Sequence, residues 1–210
     1  MGLTFHYELH LPATTEAELD DVLARLKRRA EELQFGDISE TYRGVVDYLP
    51  DPRQHFFNVL VDCNASSMDF DERQFSGDPG TARGFIVDPG KGCEWATFAF
   101  LRRTYEDDGS NEWCWLGHCK TQYASQFGQQ HFVDCHLRLV AMLDFAKTLG
   151  VDVTVYDEGD YWETRDLNRL LAELDKMNRL IARMAGTFHD RGHSVESPIF
   201  DYRDFEQLEG

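Results

Sequence analysis

The 210-residue chain carries 38 Asp and Glu against 21 Lys and Arg, a formal net charge of −17. A field of that sign repels phosphate backbones and disfavours nucleic acid as a partner. With 42% hydrophobic residues the chain has apolar mass for a core, yet no run approaches the roughly 18 apolar residues that would indicate a membrane span.

Leu3 to Leu11 alternates Leu3, Phe5, Tyr7, Leu9, Leu11 against Thr4, His6, Glu8, His10, the pattern of a half-buried strand. Pro12 ends it. Thr14 or Thr15 then caps a helix whose apolar stripe is Leu19, Val22, Leu23, Leu26, Ala30 and Leu33. Asp37 to Tyr48 reads as a second strand, and the apolar run His55 to Asp62 as a buried one. The polar stretch Cys63 to Ala82 has the length of a functional or poorly ordered loop. Arg83–Asp88 and Trp95–Arg103 read as strands joined by Pro89-Gly90-Lys91-Gly92, which is turn chemistry. After a turn at 107–111 comes the strand Glu112–Thr121. Gln129–Leu149 is an amphipathic helix, Val151–Tyr156 a strand, and Asp160 to about Phe188 a long helix.

This order gives an α+β fold. Two β-α-β units separated by hairpins build a mixed sheet of about six to seven strands, with helices mainly on one face and a long C-terminal helix. Residues 1–190 form the domain and 191–210 an acidic, aromatic-containing tail. The five cysteines are odd in number and contain no C-x-x-C pair, and no signal peptide is visible. Both features fit reduced thiols in a cytoplasm.

If Glu112–Thr121 and Val151–Tyr156 share a sheet, the intervening helix is a crossover and their C-terminal ends lie at one edge, where α/β sheets bind ligands. The segments leaving that edge bring together a Lys, a Gln, a His and several carboxylates. The expected catalytic set is Glu158, Asp157 and Lys120, a carboxylate held by a lysine being suited to general-base work or to a divalent cation. His118, Gln122, Tyr123, Asp160 and Tyr161 are the expected ligand-binding residues. A structural reading competes. Asp160 with Glu163 forms an Asp version of the capping box, Gly159 supplies φ > 0 before it, and Lys120 makes a plain ion pair.

His118, Cys119, His131 and Cys135 match no standard zinc framework, so neither a metal nor a cofactor is expected. Cys119 is a candidate nucleophile with His131 or His136 as base, but His136 sits on an apolar stripe and reads as a core histidine. Trp113 and Trp115 point to one face and read as core, and Gly117 on that face lets another group approach closely. Two functional classes remain. One is an acidic binding protein, of the immunity or inhibitor kind, that covers a basic protein partner, with Phe200, Tyr202 and Phe205 as aromatic anchors. The other is an enzyme or small-ligand binder around Lys120 and Glu158.

Overall fold

The computed structural model describes residues 3–12, 14–44, 52–66, 75–77, 81–105, 109–192, 194 and 196–209. The elements are β1 (Thr4–Leu11), α1 (Glu16–Glu32), β2 (Asp37–Ile38), β3 (Tyr42–Arg43), α2 (Pro52–Ser66), β4 (Phe75–Gly77), β5 (Arg83–Asp88), β6 (Ala96–Tyr105), β7 (Asn111–Lys120), α3 (Gln129–Thr148), β8 (Asp152–Asp157), α4 (Tyr161–Thr164), α5 (Leu167–Asp190) and α6 (Phe205–Glu209). The α+β fold is as expected. No helix among the described residues is long and apolar enough to cross a membrane.

The described strands form one sheet in the order β2-β5-β6-β7-β1-β8, with β3 on β5 and β4 on β6. Every pairing is antiparallel. The two crossovers therefore connect like-directed strands that are not neighbours. β7 and β8 run the same way with β1 between them, and Lys120 and Asp157 end beside Thr4 and Phe5. The shared edge inferred from sequence exists, with the N-terminal strand inserted into it.

Thr15 caps α1 with a full capping box to Glu18. The stripe Leu19, Val22, Leu23, Leu26 and Ala30 is buried. α1 and α3 pack together over one face of the sheet, where Phe5, Tyr7, Leu9 and Leu11 of β1 are buried. α2 packs on β5 and β6, its Phe57 ring against Tyr42 and Trp115. Tyr42 lies opposite Gly84, hence on the face away from Arg83, which binds Asp20 and Glu16 of α1. The second face is thus covered at the β5 end. Across β7-β1-β8 it carries the exposed residues His6, Glu8, Leu116, His118, Thr154 and Tyr156.

The described sheet is antiparallel rather than mixed, and three further expectations are corrected. The run 55–62 is a helix, α2, and its buried residues Phe57, Asn58, Val61 and Asn64 follow helical spacing, not the every-second pattern of a strand. The final helix is broken. Arg165 is left-handed at φ 54, and Asp166 starts α5 afresh by accepting the Asn168 N–H. A bidentate pair of Arg165 with Asp144, and its guanidinium over the Trp162 ring, hold that break. The stretch 63–82 is not one loop, since α2 runs to Ser66 and β4 lies at 75–77. Residues 67–74 and 78–80 of that loop, the distal part of the Asp37–Tyr48 strand and part of the 107–111 turn lie outside the described residues. The expected tail folds back on α5, where Ile199, Tyr202 and Leu208 are buried against Ala182 and Ala185.

The sheet opens between β6 and β7. They pair from Leu101 to Thr104, and there the ladder stops while β6 continues with β5. The Tyr7 hydroxyl fills the opening, donating to Thr97 O at 2.7 Å and accepting from Thr97 N at 3.1 Å. Asn64 does the same for Leu116, accepting from its N–H at 2.6 Å and donating to its carbonyl at 3.1 Å. Gly117 makes room, since a Cβ there would sit 2.3 Å from the Tyr7 ring. Tyr7→Phe is expected to cost about 1–3 kcal/mol by leaving the buried Thr97 groups unpaired. Gly117→Ala should be destabilising too, by steric conflict. Urea unfolding of both variants measures the loss, and wild-type stability in Tyr7→Phe would contradict the account.

Candidate functional site

The expected site residues meet at one edge but on two sides of the sheet. Glu158 and Lys120 flank Thr4: Glu158 Oε2 accepts the Thr4 N–H at 2.9 Å, and Lys120 is the register partner of Thr4. The Lys120 ammonium sits 5.7 Å from the Tyr123 ring centre. His118 is exposed on the open face opposite His6. Asp157 and Gln122 lie in the interior. Gln122 accepts from Leu3 N and donates to Asn178 Oδ1 at 2.8 Å.

Asp157 is the organising group of the turn after β8. Its carboxylate accepts the N–H groups of Gly159 (2.8 Å), Tyr161 (2.9 Å) and Trp162 (3.0 Å) and lies 3.3 Å from His136 Nε2. The expected capping box is therefore absent. Asp160 makes no capping bond and pairs with Arg169 at 2.9 Å. The left-handed residue is Asp160 itself, at φ 59. Gly159 serves close packing instead, because a Cβ there would lie 2.6 Å from Leu170. Tyr161 turns its ring edge-on to His136. His136 is a core residue, as expected, but its bonds are to the side chains of Thr121 (3.2 Å) and Asp157 rather than to backbone. Burial pushes the Asp157 carboxyl upward. The hydrogen bond and charge of His136, with the N–H bonds of Gly159 and Trp162, outweigh it and hold the pKa below the usual carboxylate range.

The cysteines divide sharply. Cys119 is buried, donates to Glu94 O at 3.1 Å, and has its thiol pushed well up by burial, the reverse of what a nucleophile needs. Cys135 is held down to about 7 by the Cys93 thiol, against its burial, with His131 and Arg138 assisting. His131 Nε2 lies 3.6 Å from Cys135 Sγ. His118 stands on the opposite sheet face from Cys119, so the four residues considered for zinc do not converge.

The open face holds a groove of about 370 Å³ lined by His6, Tyr7, Glu8, Leu116, Gly117, His118, Thr154 and Tyr156. Its rows follow the register. His118, His6 and Tyr156 form one, and Leu116, Glu8 and Thr154 the next. Tyr156 is 66% exposed and Leu116 38%, so apolar surface is left facing solvent. Glu8 is the one carboxylate in this lining, and it makes no hydrogen bond or ion pair with the described residues. A wider cleft of about 490 Å³ runs along α1, but its Arg83 is tied to Asp20 and Glu16 and its Lys27 to Glu40.

No family model, curated protein or solved structure matches the chain. Of the groove lining, the expected site residues include only His118; Lys120 and Glu158 are not among its residues, and His6, Glu8, Leu116, Thr154 and Tyr156 fall outside the expected set. The alternation of β1 marks His6 and Glu8 as outward-facing. Their neighbours across the sheet come from strands more than a hundred residues away, which no local pattern reveals.

Asp157→Asn is expected to destabilise the fold by about 3 kcal/mol, because it removes one partner of a buried pair and leaves turn N–H groups poorly matched. The native pKa lies below the unfolded one, so the carboxylate's stabilisation is full above the ordinary Asp range near 4 and lost as pH falls through the native value. Denaturation from pH 7 to pH 3 should show the wild-type advantage shrinking with acidification, and a gap independent of pH would refute it.

Proposed function

We propose that the protein is a binding protein whose open β7-β1-β8 face receives a basic side chain of a protein partner. The observation that carries this reading is Glu8, an exposed carboxylate with no ion-pair partner among the described residues, standing between Leu116 and Thr154 and diagonal to Tyr156. A lysine or arginine entering the groove would meet a carboxylate and an aromatic face together, and cations gain from both. An exposed Tyr within a polar surround is the kind of anchor that interfaces use. The −17 charge adds long-range steering of a basic partner. Tyr202, one of the aromatics first considered as an anchor, is occupied inside the molecule, so this face replaces the C-terminal segment as the proposed contact. A catalytic reading of Lys120 and Glu158 has weaker support, since Glu158 already serves the Thr4 N–H.

A labelled oligo-arginine peptide is the probe. Glu8→Gln and Tyr156→Ala should each weaken its binding by about tenfold, roughly 1.4 kcal/mol. Asp190→Asn, which removes the same charge from an exposed position on α5, should change it less than twofold. Fluorescence anisotropy at several salt concentrations reads the effect. Equal losses in Glu8→Gln and Asp190→Asn would mean that net charge alone attracts the peptide, and would overturn the reading.

A further inference from the structure

At the far end of the same open face, the next row of the sheet brings together residues of a different chemistry. His10 of β1 lies opposite Cys114 of β7 and Asp152 of β8. Glu112 stands two residues from Cys114, on the same side of β7. His10 Nε2 is 2.6 Å from Glu112 Oε2, and Cys114 Sγ is 3.2 Å from Glu112 Oε1. The imidazole, carboxylate and thiol donor atoms all lie within 4.8 Å of one another. On the other side of the imidazole, Asp152 Oδ2 is 3.6 Å from His10 Nδ1.

We propose that His10, Glu112 and Cys114 form a binding site for a divalent transition-metal ion of the zinc type, with Asp152 orienting His10. The donor set is one nitrogen, one oxygen and one sulfur. Three such protein ligands leave a fourth position open to water, as in zinc sites with an open coordination position. Tetrahedral ligands at zinc bond lengths sit about 3.3–3.7 Å apart. The site therefore needs the 2.6 Å His10–Glu112 contact to open by about 0.7 Å on metal binding. A carboxylate on the far nitrogen fixes the tautomer of a metal-bound histidine, and Asp152 Oδ2 would take that role on closing from 3.6 Å to hydrogen-bond distance, leaving Nε2 free for the ion. Cys114 is buried while His10 and Glu112 are partly exposed, so an ion has access from the open face.

Arg103 of β6 is the register partner of Glu112 and faces the cluster. Its charge favours the Cys114 thiolate but opposes a second cation. The thiol itself is raised by burial and by Glu112, so binding must release its proton to solvent. The inference is independent of the proposed partner contact, which uses Glu8 and Tyr156.

The test is titration of chelator-treated, full-length protein with Co²⁺, followed by Zn²⁺ competition. A thiolate-to-cobalt charge-transfer band with tetrahedral ligand-field bands, displaced by Zn²⁺, is expected. Cys114→Ser should abolish the charge-transfer band. His10→Ala and Glu112→Gln should each weaken binding at least tenfold, and Asp152→Asn by about tenfold. Arg103→Met should tighten it. Circular dichroism of the metal-free variants checks folding, and the two exposed-side variants keep the test open if Cys114→Ser fails to fold. Absence of the band at saturating Co²⁺, or its survival in Cys114→Ser, would overturn the site.

Discussion

The phenol of Tyr7 stands where a β6–β7 ladder would otherwise run, and the shape of the molecule follows from that placement. Its hydroxyl answers both backbone groups of Thr97, and its ring occupies the space that Gly117 leaves empty. With Asn64 answering Leu116 from α2, the sheet opens without leaving these backbone groups unpaired. Phe57 of α2 stacks on Trp115, and Tyr7 on Phe98. Aromatic rings occupy the opening.

Because β1 carries this wedge, it must lie inside the sheet. It pairs with β7 on one side and β8 on the other along nearly its whole length. Its inner residues meet α3, and its outer residues, His6, Glu8 and His10, become the midline of the open face. Both proposed sites stand on that midline. The groove around Glu8 and the donor cluster around His10 are successive rows of one register, separated by the repeat of two residues along a strand.

The edge beyond β8 is governed by Asp157. A single buried carboxylate gathers three N–H groups and His136, so the turn into α4 is built around a charge and not around the capping residue that follows it. The Thr121–His136–Asp157 file joins the end of β7, α3 and the end of β8. It locks the crossover at the edge where ligand chemistry was first sought, and it uses Asp157 structurally in doing so.

The sequence by itself determined the periodic elements. The alternation of β1 and the stripes of α1 and α3 were legible from local spacing of apolar residues, the hairpin of β5 and β6 from its Pro-Gly turn, and the permissive role of Gly117 from its missing side chain. It also placed the ends of β7 and β8 at one edge, through the helical crossover that joins two like-directed strands. The helical nature of α2 was hidden by a short apolar run that fits two periods, and the break at Arg165 by the lack of any glycine or proline there. Only the tertiary structure decided that β1 lies between β7 and β8. That insertion sets which side chains share a row, and hence that Glu8 joins Leu116 and Thr154 and that His10 joins Glu112, Cys114 and Asp152. Register is a property of paired backbones distant in sequence, and a shift of one residue would send every one of those side chains to the other face.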